Sequence, residues 1–297
     1  MPALVLIVNP FASRVSEEKI EAVERELARV AEVSIVRTER PRHATELVSE
    51  ACGGGACDAI VVFSGDGGFN EALNGLEGDI PVGFLPGGGA SVLSRALGLP
   101  TDPVAAARQL ADAFEQGRTR RISVGRANGR RFAFSAGLGL DAEAVRRVDG
   151  LGRAQDGKRP GDIAYVLAVV RALVAHHGHM EPALEVKGYG RAACAFIANT
   201  APYTYAKRVP LPIAPEAQFE LGLDMVAPVR IRRRSLLRDA YAVLAGHPRG
   251  GMLYAHDVDR IEIACDEPMA LHVDGEDLGD VQDAVFEAER RAVTVLA

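Results

Sequence analysis

The chain of 297 residues has no tryptophan and few of the residues that build sulfur-based sites. It contains four cysteines, and none of them stands in a C-x-x-C pair. Structural zinc sites and disulfide frameworks depend on closely spaced cysteines, so this distribution argues against both. We interpret the cysteines as reduced thiols of an intracellular protein; they are Cys52, Cys57, Cys194 and Cys265.

Long hydrophobic runs and excess positive charge are missing as well. No apolar run reaches the roughly 18 residues that a membrane-spanning helix needs. Residues 1–5 lack a basic n-region and lead directly into a predicted strand, so we expect no signal peptide and a cytoplasmic protein. The net charge of −6 argues against nucleic acid as a partner, because nucleic-acid-binding proteins usually carry a basic surface.

Two common catalytic motifs are absent. The chain has no G-x-x-x-x-G-K-[ST] sequence, so it is not a P-loop protein, and no G-x-S-x-G sequence, so a serine nucleophile has no support. Its 48% apolar and 25% charged residues are ordinary for a globular protein. The length suggests about two domains.

Strands alternate with helices over the first 120 residues, a pattern typical of a parallel α/β sheet. Ligands of such sheets bind at the carboxyl ends of the strands. Polar or glycine-rich turns follow the four strands, and their shared edge is the first indication of a ligand site. The predicted strands are residues 3–8, 33–37, 59–63 and 81–85, and the turns begin at Asn9, Thr38, Ser64 and Pro86.

The turn after the third strand carries three glycines and one carboxylate, Asp66, before a helical pattern begins. Glycines let backbone N–H groups approach a ligand closely, and a helix N-terminus adds a partial positive charge, so the turn suits phosphate. Asp66 would repel phosphate unless it contacts a metal, a hydroxyl or a ribose. A tight turn capped by Asp66 explains the same residues, and both interpretations stay open at this point.

The pattern changes near residue 120, where helices become the minority. Asn128-Gly129 predicts a hairpin between residues 121–127 and 131–135, and several further strands predict a β-rich sandwich domain. Residues 137–142 match the dinucleotide fingerprint G-x-G-x-x-A without a surrounding βαβ unit, so we interpret them as a bend. The other predicted elements are strands 184–186, 193–198, 221–226, 260–265 and 269–273, a helix 163–175 and a helix from Arg230 to Leu244.

A second acidic turn, Asp274-Gly275-Glu276, follows the last of these strands. Its two carboxylates could face a cleft as a general base and a magnesium ligand. Taken alone, the same three residues are more often only a turn.

Together these segments resemble the diacylglycerol-kinase-type lipid kinase family, which includes the bacterial diacylglycerol kinases and the sphingosine kinases. Single motifs are weak signals, but these occur in the family's order over about 270 residues. The matching segments are Asn9-Pro10, Thr38 with His43-Ala44, the G-D-G loop from Ser64 to Glu71, the glycine loop of residues 85–95, the G-x-G-x-D-A turn of residues 137–142, and Asp274-Gly275-Glu276.

The resemblance implies an α/β domain with a parallel sheet, as in NAD kinases and diacylglycerol kinases, followed by a β-sandwich. We expect a nucleotide domain of residues 1–122, to which residues 285–297 return, and a lipid acceptor domain of residues 123–284. The implied reaction is transfer of the γ-phosphate of ATP, with Mg²⁺, to a lipid hydroxyl such as that of diacylglycerol. The implied nucleotide-binding residues are Asn9, Pro10, Thr38, Ser64, Gly65, Asp66, Gly67, Gly68, Glu71, Gly87, Gly88, Gly89 and Ser91; the catalytic residues are Asp274, Glu276 and Asp66; and the metal ligands are Asp66 and Glu276.

The chain departs from the family at several positions. Ser64 replaces the first glycine of the signature loop, Gly68 replaces its threonine, and Ala90 and Ser91 replace a threonine and an asparagine. Leu221 stands where relatives carry an acid that holds a structural cation. A catalytically weak homologue that binds nucleotide or lipid in a regulatory role is therefore the alternative, and a nicotinamide-cofactor kinase is a third hypothesis.

A lipid substrate implies transient contact with a membrane surface, and hence a peripheral position at the inner membrane. The basic stretches of residues 230–234 and 153–159 are candidate contacts for anionic headgroups, although solvated surface charge is the more common explanation for each. We expect no nucleic acid partner, and we count a homodimer among the expected assemblies.

Overall fold

The computed structural model describes residues 1–55, 57–150, 162–206, 209–234 and 250–297. The chain divides into two compact units, unit 1 of residues 1–122 with 291–297 and unit 2 of residues 123–290. No helix in the described part of the chain is long and apolar enough to cross a bilayer.

The elements are numbered in chain order. The helices are α1 (Glu17–Leu27), α2 (His43–Gly53), α3 (Asp66–Gly75), α4 (Val92–Ala96), α5 (Pro103–Glu115), α6 (Leu140–Gly150) and α7 (Asp162–Ala175). The strands are β1 (Ala3–Val8), β2 (Glu32–Arg37), β3 (Ala59–Ser64), β4 (Val82–Pro86), β5 (Thr119–Ala127), β6 (Arg130–Phe132), β7 (Ser135–Leu138), β8 (His179–Met180), β9 (Leu184–Val186), β10 (Gly190–Ala192), β11 (Ala195–Ala198), β12 (Thr204–Ala206), β13 (Val209–Leu211), β14 (Leu223–Pro228), β15 (Ile231–Arg232), β16 (Met252–Val258), β17 (Arg260–Val273) and β18 (Glu276–Leu296).

Unit 1 is a parallel sheet in the order β4-β3-β1-β2, and the end of β18 joins it through the pair Val295 and Val82. The apolar stripe of α1 and that of α5 cover one face of the sheet, while α2 and α3 pack against each other. Helix α1 begins where the Ser16 side chain accepts the Lys19 N–H, and α5 begins after Asp102 with a proline in its first turn. This sheet confirms the predicted α/β fold class.

Unit 2 is built from antiparallel strands, with β16, β14, β11, β7, β17 and the first part of β18 as successive neighbours. Strand β9 adds to β17, and β8 pairs with β15. Helices α6 and α7 pack against each other. The antiparallel arrangement confirms the β-rich second part of the fold.

The antiparallel pairing of β5 with β6 confirms the predicted Asn128-Gly129 hairpin, but its second strand is shorter than predicted, and one predicted helix is wrong. The second strand of the Asn128-Gly129 hairpin breaks after Phe132, because the N–H groups of the following residues donate to the Asp274 carboxylate instead of continuing the ladder. The helix predicted to start at Arg230 is absent there, since Ile231 and Arg232 form β15 with β8. The remainder of that predicted helix, and the basic stretch of residues 153–159, lie outside the described residues.

A partly buried ion cluster inside unit 2 gives a pH-dependent prediction. Burial raises the pKa of Glu289, but the guanidinium groups of Arg131 and Arg126 hold it, on balance, below its usual 4.5. A carboxylate with a lowered pKa stabilises the fold above its unfolded pKa and loses that contribution as the pH falls through the folded value. We expect Glu289→Gln to reduce the free energy of unfolding by about 1–2 kcal/mol at pH 7. The difference should shrink below about pH 4 in urea titrations; a constant difference from pH 7 to 3 would contradict the assignment.

Candidate functional site

The carboxyl ends of the four parallel strands in unit 1 lie in register at one edge. Val8 of β1 pairs with Arg37 of β2 and with Phe63 of β3, and Ser64 pairs with Pro86 of β4. The residues after each strand therefore share this edge, as the sequence predicts. Asn9, Thr38, the Asp66 turn and the Gly87 turn all begin here.

The turn after β1 is fixed by its own first residue. Asn9 accepts the Ala12 N–H at its carbonyl oxygen, 3.2 Å away, and the Phe11 N–H at its side-chain Oδ1, 3.0 Å away. Pro10 occupies the second position of this turn, where its fixed φ is favourable. Since Oδ1 is occupied, the amide Nδ2 of Asn9 points to β3 and donates to Ser64 Oγ at 3.2 Å.

The two glycine loops approach each other at backbone distance. The Gly87 N–H donates to the Ser64 carbonyl at 2.7 Å. A Cβ on Gly88 would lie 2.8 Å from the Gly65 Cα, which is closer than side chains tolerate. The two loops thus meet backbone to backbone, a contact that we call the glycine cradle, and they need glycine at these positions because of the close approach.

Asp66 lies in the first turn of α3, and its Oδ1 accepts the Leu93 N–H from the first turn of α4 at 3.1 Å. The carboxylate thus ties the two glycine loops together. The first N–H groups of a helix have no intrahelical acceptor, so α3 presents the amides of Asp66, Gly67 and Gly68 at the same edge. The N-cap residue of this helix is Gly65, which has no side chain with which to cap it.

A small cleft opens beside these loops and is lined by Asn9, Thr38, Ser64, Gly68 and Glu71, with apolar residues beneath them. The Glu71 carboxylate accepts the Ala44 N–H at 3.3 Å. That bond serves the start of α2, whose N-cap residue offers no side-chain acceptor. The cleft therefore combines hydroxyl, amide and carboxylate groups over an apolar floor.

The Ser91 hydroxyl makes a contact within the second glycine loop. Ser91 is buried, adopts a φ of 47°, and donates its hydroxyl to the Gly88 carbonyl at 3.1 Å. This bond closes the second glycine loop. Gly89 faces open space, because a Cβ there would meet nothing within 4 Å.

In unit 2, Asp274 and Gly275 form the two-residue turn between β17 and β18, with φ values of 47° and 78°. Positive φ at both positions is the preferred hairpin geometry, and Asp-Gly is a preferred sequence for it. The buried Asp274 carboxylate accepts three backbone N–H groups from the segment after β6, at 2.7, 2.9 and 3.2 Å. These donors are Ala133, Phe134 and Ser135, so Asp274 holds the corner between β6 and β7.

Glu276 begins β18 on the other side of the turn and is about one-third exposed. Its Oε2 accepts from Arg130 Nη2 at 2.6 Å. The same end of β18 is clamped to α6, since the Arg146 guanidinium donates to Asp277 at 2.9 and 3.1 Å. Sequence reasoning missed Arg130 and Arg146 because each lies more than 130 positions from its partner, and no local pattern joins them.

Leu221 stands where the family is expected to carry an acidic residue, and the residues around it form an ion pair that includes an arginine. The Gly222 N–H donates to Asp257 Oδ1 at 2.7 Å, and Arg290 contacts the same carboxylate at 2.7 Å. Burial raises the pKa of Asp224, whose carboxylate instead contacts His256 at 3.0 Å. The described residues contain no group of three acidic, histidine or cysteine side chains that could by itself hold a metal ion.

The G-x-G-x-x-A segment, residues 137–142, lies against a cluster of buried polar side chains. Asp141 contacts His272 Nε2 at 2.5 Å and accepts the Tyr203 hydroxyl. A Cβ on Gly137 would lie 2.6 Å from the Asp141 carboxylate and 2.8 Å from His272 Nε2. The glycine is therefore required by packing inside unit 2.

Family models match both parts of the chain. Residues 3–127 match the diacylglycerol kinase catalytic domain, and residues 135–297 match the YegS C-terminal NAD kinase beta sandwich-like domain. Two solved structures described as a "putative diacylglycerol kinase" from Bacillus anthracis str. Sterne have TM-scores of 0.76 and 0.75. They are 22% and 21% identical, and each comparison covers 99% of this chain and 96% of the other. This likeness shows the fold.

Two curated relatives are similar over shorter stretches. A "Putative lipid kinase" of Streptococcus pneumoniae serotype 4 is 29% identical over 181 residues, which are 59% of this chain and 58% of that protein. Sphingosine kinase 2 of Homo sapiens is 35% identical over 108 residues, which are 32% of this chain and 16% of that protein. The matches thus span less than two thirds of the length of either relative.

Proposed function

The chain belongs to the diacylglycerol-kinase-type family of lipid kinases, and we propose that it transfers the γ-phosphate of ATP to the hydroxyl of a lipid such as diacylglycerol. The observation that carries this proposal is the backbone cradle at Gly65 and Gly88, beside the uncapped start of α3. Such a site favours phosphate, because backbone N–H groups and the helix dipole both favour anions.

The residues of unit 1 fit a nucleotide with its metal. The cradle leaves no room for a Cβ at Gly88, and the neighbouring cleft offers Asn9, Thr38 and Glu71 as polar contacts for the rest of the nucleotide. Mg²⁺ would neutralise charge on the phosphates when bound. It commonly takes only one or two protein carboxylates besides phosphate oxygens, so Asp66 is a sufficient ligand from this unit.

Unit 2 would supply the acceptor chemistry. A lipid hydroxyl that attacks phosphorus loses its proton, and a nearby carboxylate can accept it. We assign this role to Glu276 and not to Asp274, because three backbone N–H groups already occupy the Asp274 carboxylate. Arg130 would orient Glu276, and Glu276 is retained as a second candidate metal ligand.

The cradle gives a direct prediction for nucleotide binding. Gly88→Ala should raise the ATP dissociation constant at least about tenfold, since the new methyl group must displace the Gly65 backbone. Gly53→Ala in α2 is the matched control, because a Cβ there meets nothing within 4 Å. Isothermal titration of ATP into both variants distinguishes them, and equal affinities would remove the cradle from the nucleotide site.

We also propose that unit 2 touches an anionic membrane surface through α7. Three apolar side chains of this helix, Leu167, Val170 and Val174, are 48%, 50% and 68% exposed and recur at helical spacing on one face. Ile231 belongs to the same buried cluster as residues of α7, and two exposed arginines, Arg233 and Arg234, follow Ile231 in the chain. An apolar stripe beside basic side chains suits headgroups and acyl chains together.

Sedimentation with vesicles tests this contact. The protein should bind phosphatidylglycerol vesicles more than phosphatidylcholine vesicles, and Val170→Asp with Val174→Asp should lower the bound fraction severalfold at unchanged thermal stability. Equal binding by the variant would show that α7 is not the contact.

Phosphate transfer itself tests the proposed reaction. The protein is incubated with γ-labelled ATP, Mg²⁺ and a panel of acceptors: diacylglycerol, other long-chain diols, sphingoid bases and NAD. We expect label in a lipid and none in NAD. If no acceptor is labelled while ATP still binds, the regulatory homologue replaces the kinase; label in NAD alone would favour a nicotinamide-cofactor kinase.

A further inference from the structure

The side chain of Ser64, at the end of β3, occupies the space that a side chain at position 68, in the first turn of α3, would need. We propose that the Ser64 hydroxyl donates a hydrogen bond to a phosphate oxygen of the nucleotide, and so supplies the side-chain donor that Gly68 lacks. The inference rests on the proposed function, because it concerns the same nucleotide site. Its basis is the geometry of the two residues, their neighbour Asn9 and the adjoining cleft.

The two side chains exclude each other. A Cβ at position 68 would lie 2.8 Å from the Ser64 Cβ and would overlap its Oγ, whereas its next neighbour, Asn9 Nδ2, would be 3.7 Å away. Rotation of the Ser64 hydroxyl would not relieve the approach of the two Cβ atoms. The chain can therefore carry a side chain at position 64 or at position 68, and the Ser64 side chain fills the volume left by the glycine.

Asn9 sets the direction of the Ser64 hydroxyl. Because Asn9 Oδ1 accepts the Phe11 N–H, its Nδ2 is the atom that faces Ser64, and Ser64 Oγ acts as the acceptor of that bond. The hydroxyl hydrogen of Ser64 must then point elsewhere. Within the described ranges it has no acceptor, although Ser64 is only 1% exposed. A buried donor without an acceptor is costly unless a ligand or a water accepts from it.

The surroundings indicate which ligand atom would accept. Ser64 and Gly68 line the same cleft, at the edge where the uncapped α3 presents its first N–H groups. The other hydroxyl of the glycine loops, Ser91, already donates to Gly88. Ser64 is therefore the hydroxyl with a hydrogen left to donate, and an anionic oxygen at a helix N-terminus is the acceptor that this position favours.

Moving the hydroxyl between the two positions tests the inference. Ser64→Ala should weaken ATP binding about three- to tenfold, the usual cost of one hydrogen bond. Ser64→Gly with Gly68→Ser places the hydroxyl on the other residue without overlap, and we expect ATP affinity within about twofold of the parent. Ser64→Gly with Gly68→Ala is the matched control, since it fills the same space without a hydroxyl, and should bind as weakly as Ser64→Ala.

Affinities come from isothermal titration of the full chain with Mg²⁺-ATP, and thermal midpoints show that the variants fold. Equal affinity of the two double variants at equal thermal stability would overturn the inference, because the hydroxyl would then be irrelevant to the ligand. Loss of affinity in both would overturn it as well. Failure of the parent protein to bind ATP would contradict the proposed function itself, and with it this inference.

Discussion

Glu276→Gln is expected to lower the rate of phosphate transfer about 10²- to 10⁴-fold, the usual contribution of a positioned general base. Glutamine keeps the size of the side chain and can still accept from Arg130, but it cannot take a proton from the lipid hydroxyl. The effect should appear in kcat at saturating ATP and lipid. As the general base, Glu276 acts on the acceptor, so ATP affinity should change less than about threefold; a larger loss of ATP affinity would instead indicate that Glu276 is a metal ligand.

The matched control is Glu267→Gln, an exposed glutamate of β17 far along the strand from the turn. It changes the net charge by the same amount and should leave transfer unchanged. A Glu276→Gln variant that transfers phosphate at more than about a tenth of the parent rate would exclude Glu276 as the base. Asp274 would then need to be reconsidered in spite of its three backbone donors.

Asp274→Asn should act first on stability. The asparagine offers one oxygen in place of two, so its amide would face at least one of the backbone N–H groups of Ala133, Phe134 or Ser135. A buried N–H without an acceptor and the lost charge-assisted bonds should together cost about 2–4 kcal/mol. We expect a lower thermal midpoint and a loss of transfer with near-normal ATP affinity.

The two variants together separate catalysis from architecture. Glu276→Gln should lose transfer at unchanged thermal stability, whereas Asp274→Asn should lose both. Asp274→Asn could instead have the parent thermal midpoint and still lack activity. The three backbone hydrogen bonds of Asp274 would then not be its main role, and Asp274 would replace Glu276 as the assigned general base.

The sequence predicted the α/β unit almost completely, because each of its elements carries a local signal. The strands are continuous apolar runs, and α1 and α5 have an apolar stripe and a capping residue. The shared edge of Asn9, Thr38 and the two glycine loops followed from the parallel order alone. Predictions for unit 2 were less accurate because many of its strands have only two to four residues and are defined by partners distant in sequence.

The features that the sequence could not predict depend on contacts in three dimensions, several of them between distant segments. The strand break after Phe132 follows from a carboxylate about 140 positions away. The departure at Gly68 looks like a lost donor in the sequence, whereas the structure shows Ser64 in the same space. Two substitutions that each look unfavourable are thus compatible as a pair. The proposed Ser64 donor, once demonstrated, would remove one reason for the hypothesis of a catalytically weak homologue.

Hydrogen–deuterium exchange with and without a non-hydrolysable Mg²⁺-ATP analogue tests the central claim most directly, because backbone amides are the proposed phosphate ligands. We predict that the analogue slows exchange in two peptides, those that contain residues 64–69 and 87–92, and that Gly88→Ala removes this protection. Protection confined to other segments, or none at saturating analogue, would contradict the assignment of the glycine loops as the nucleotide site.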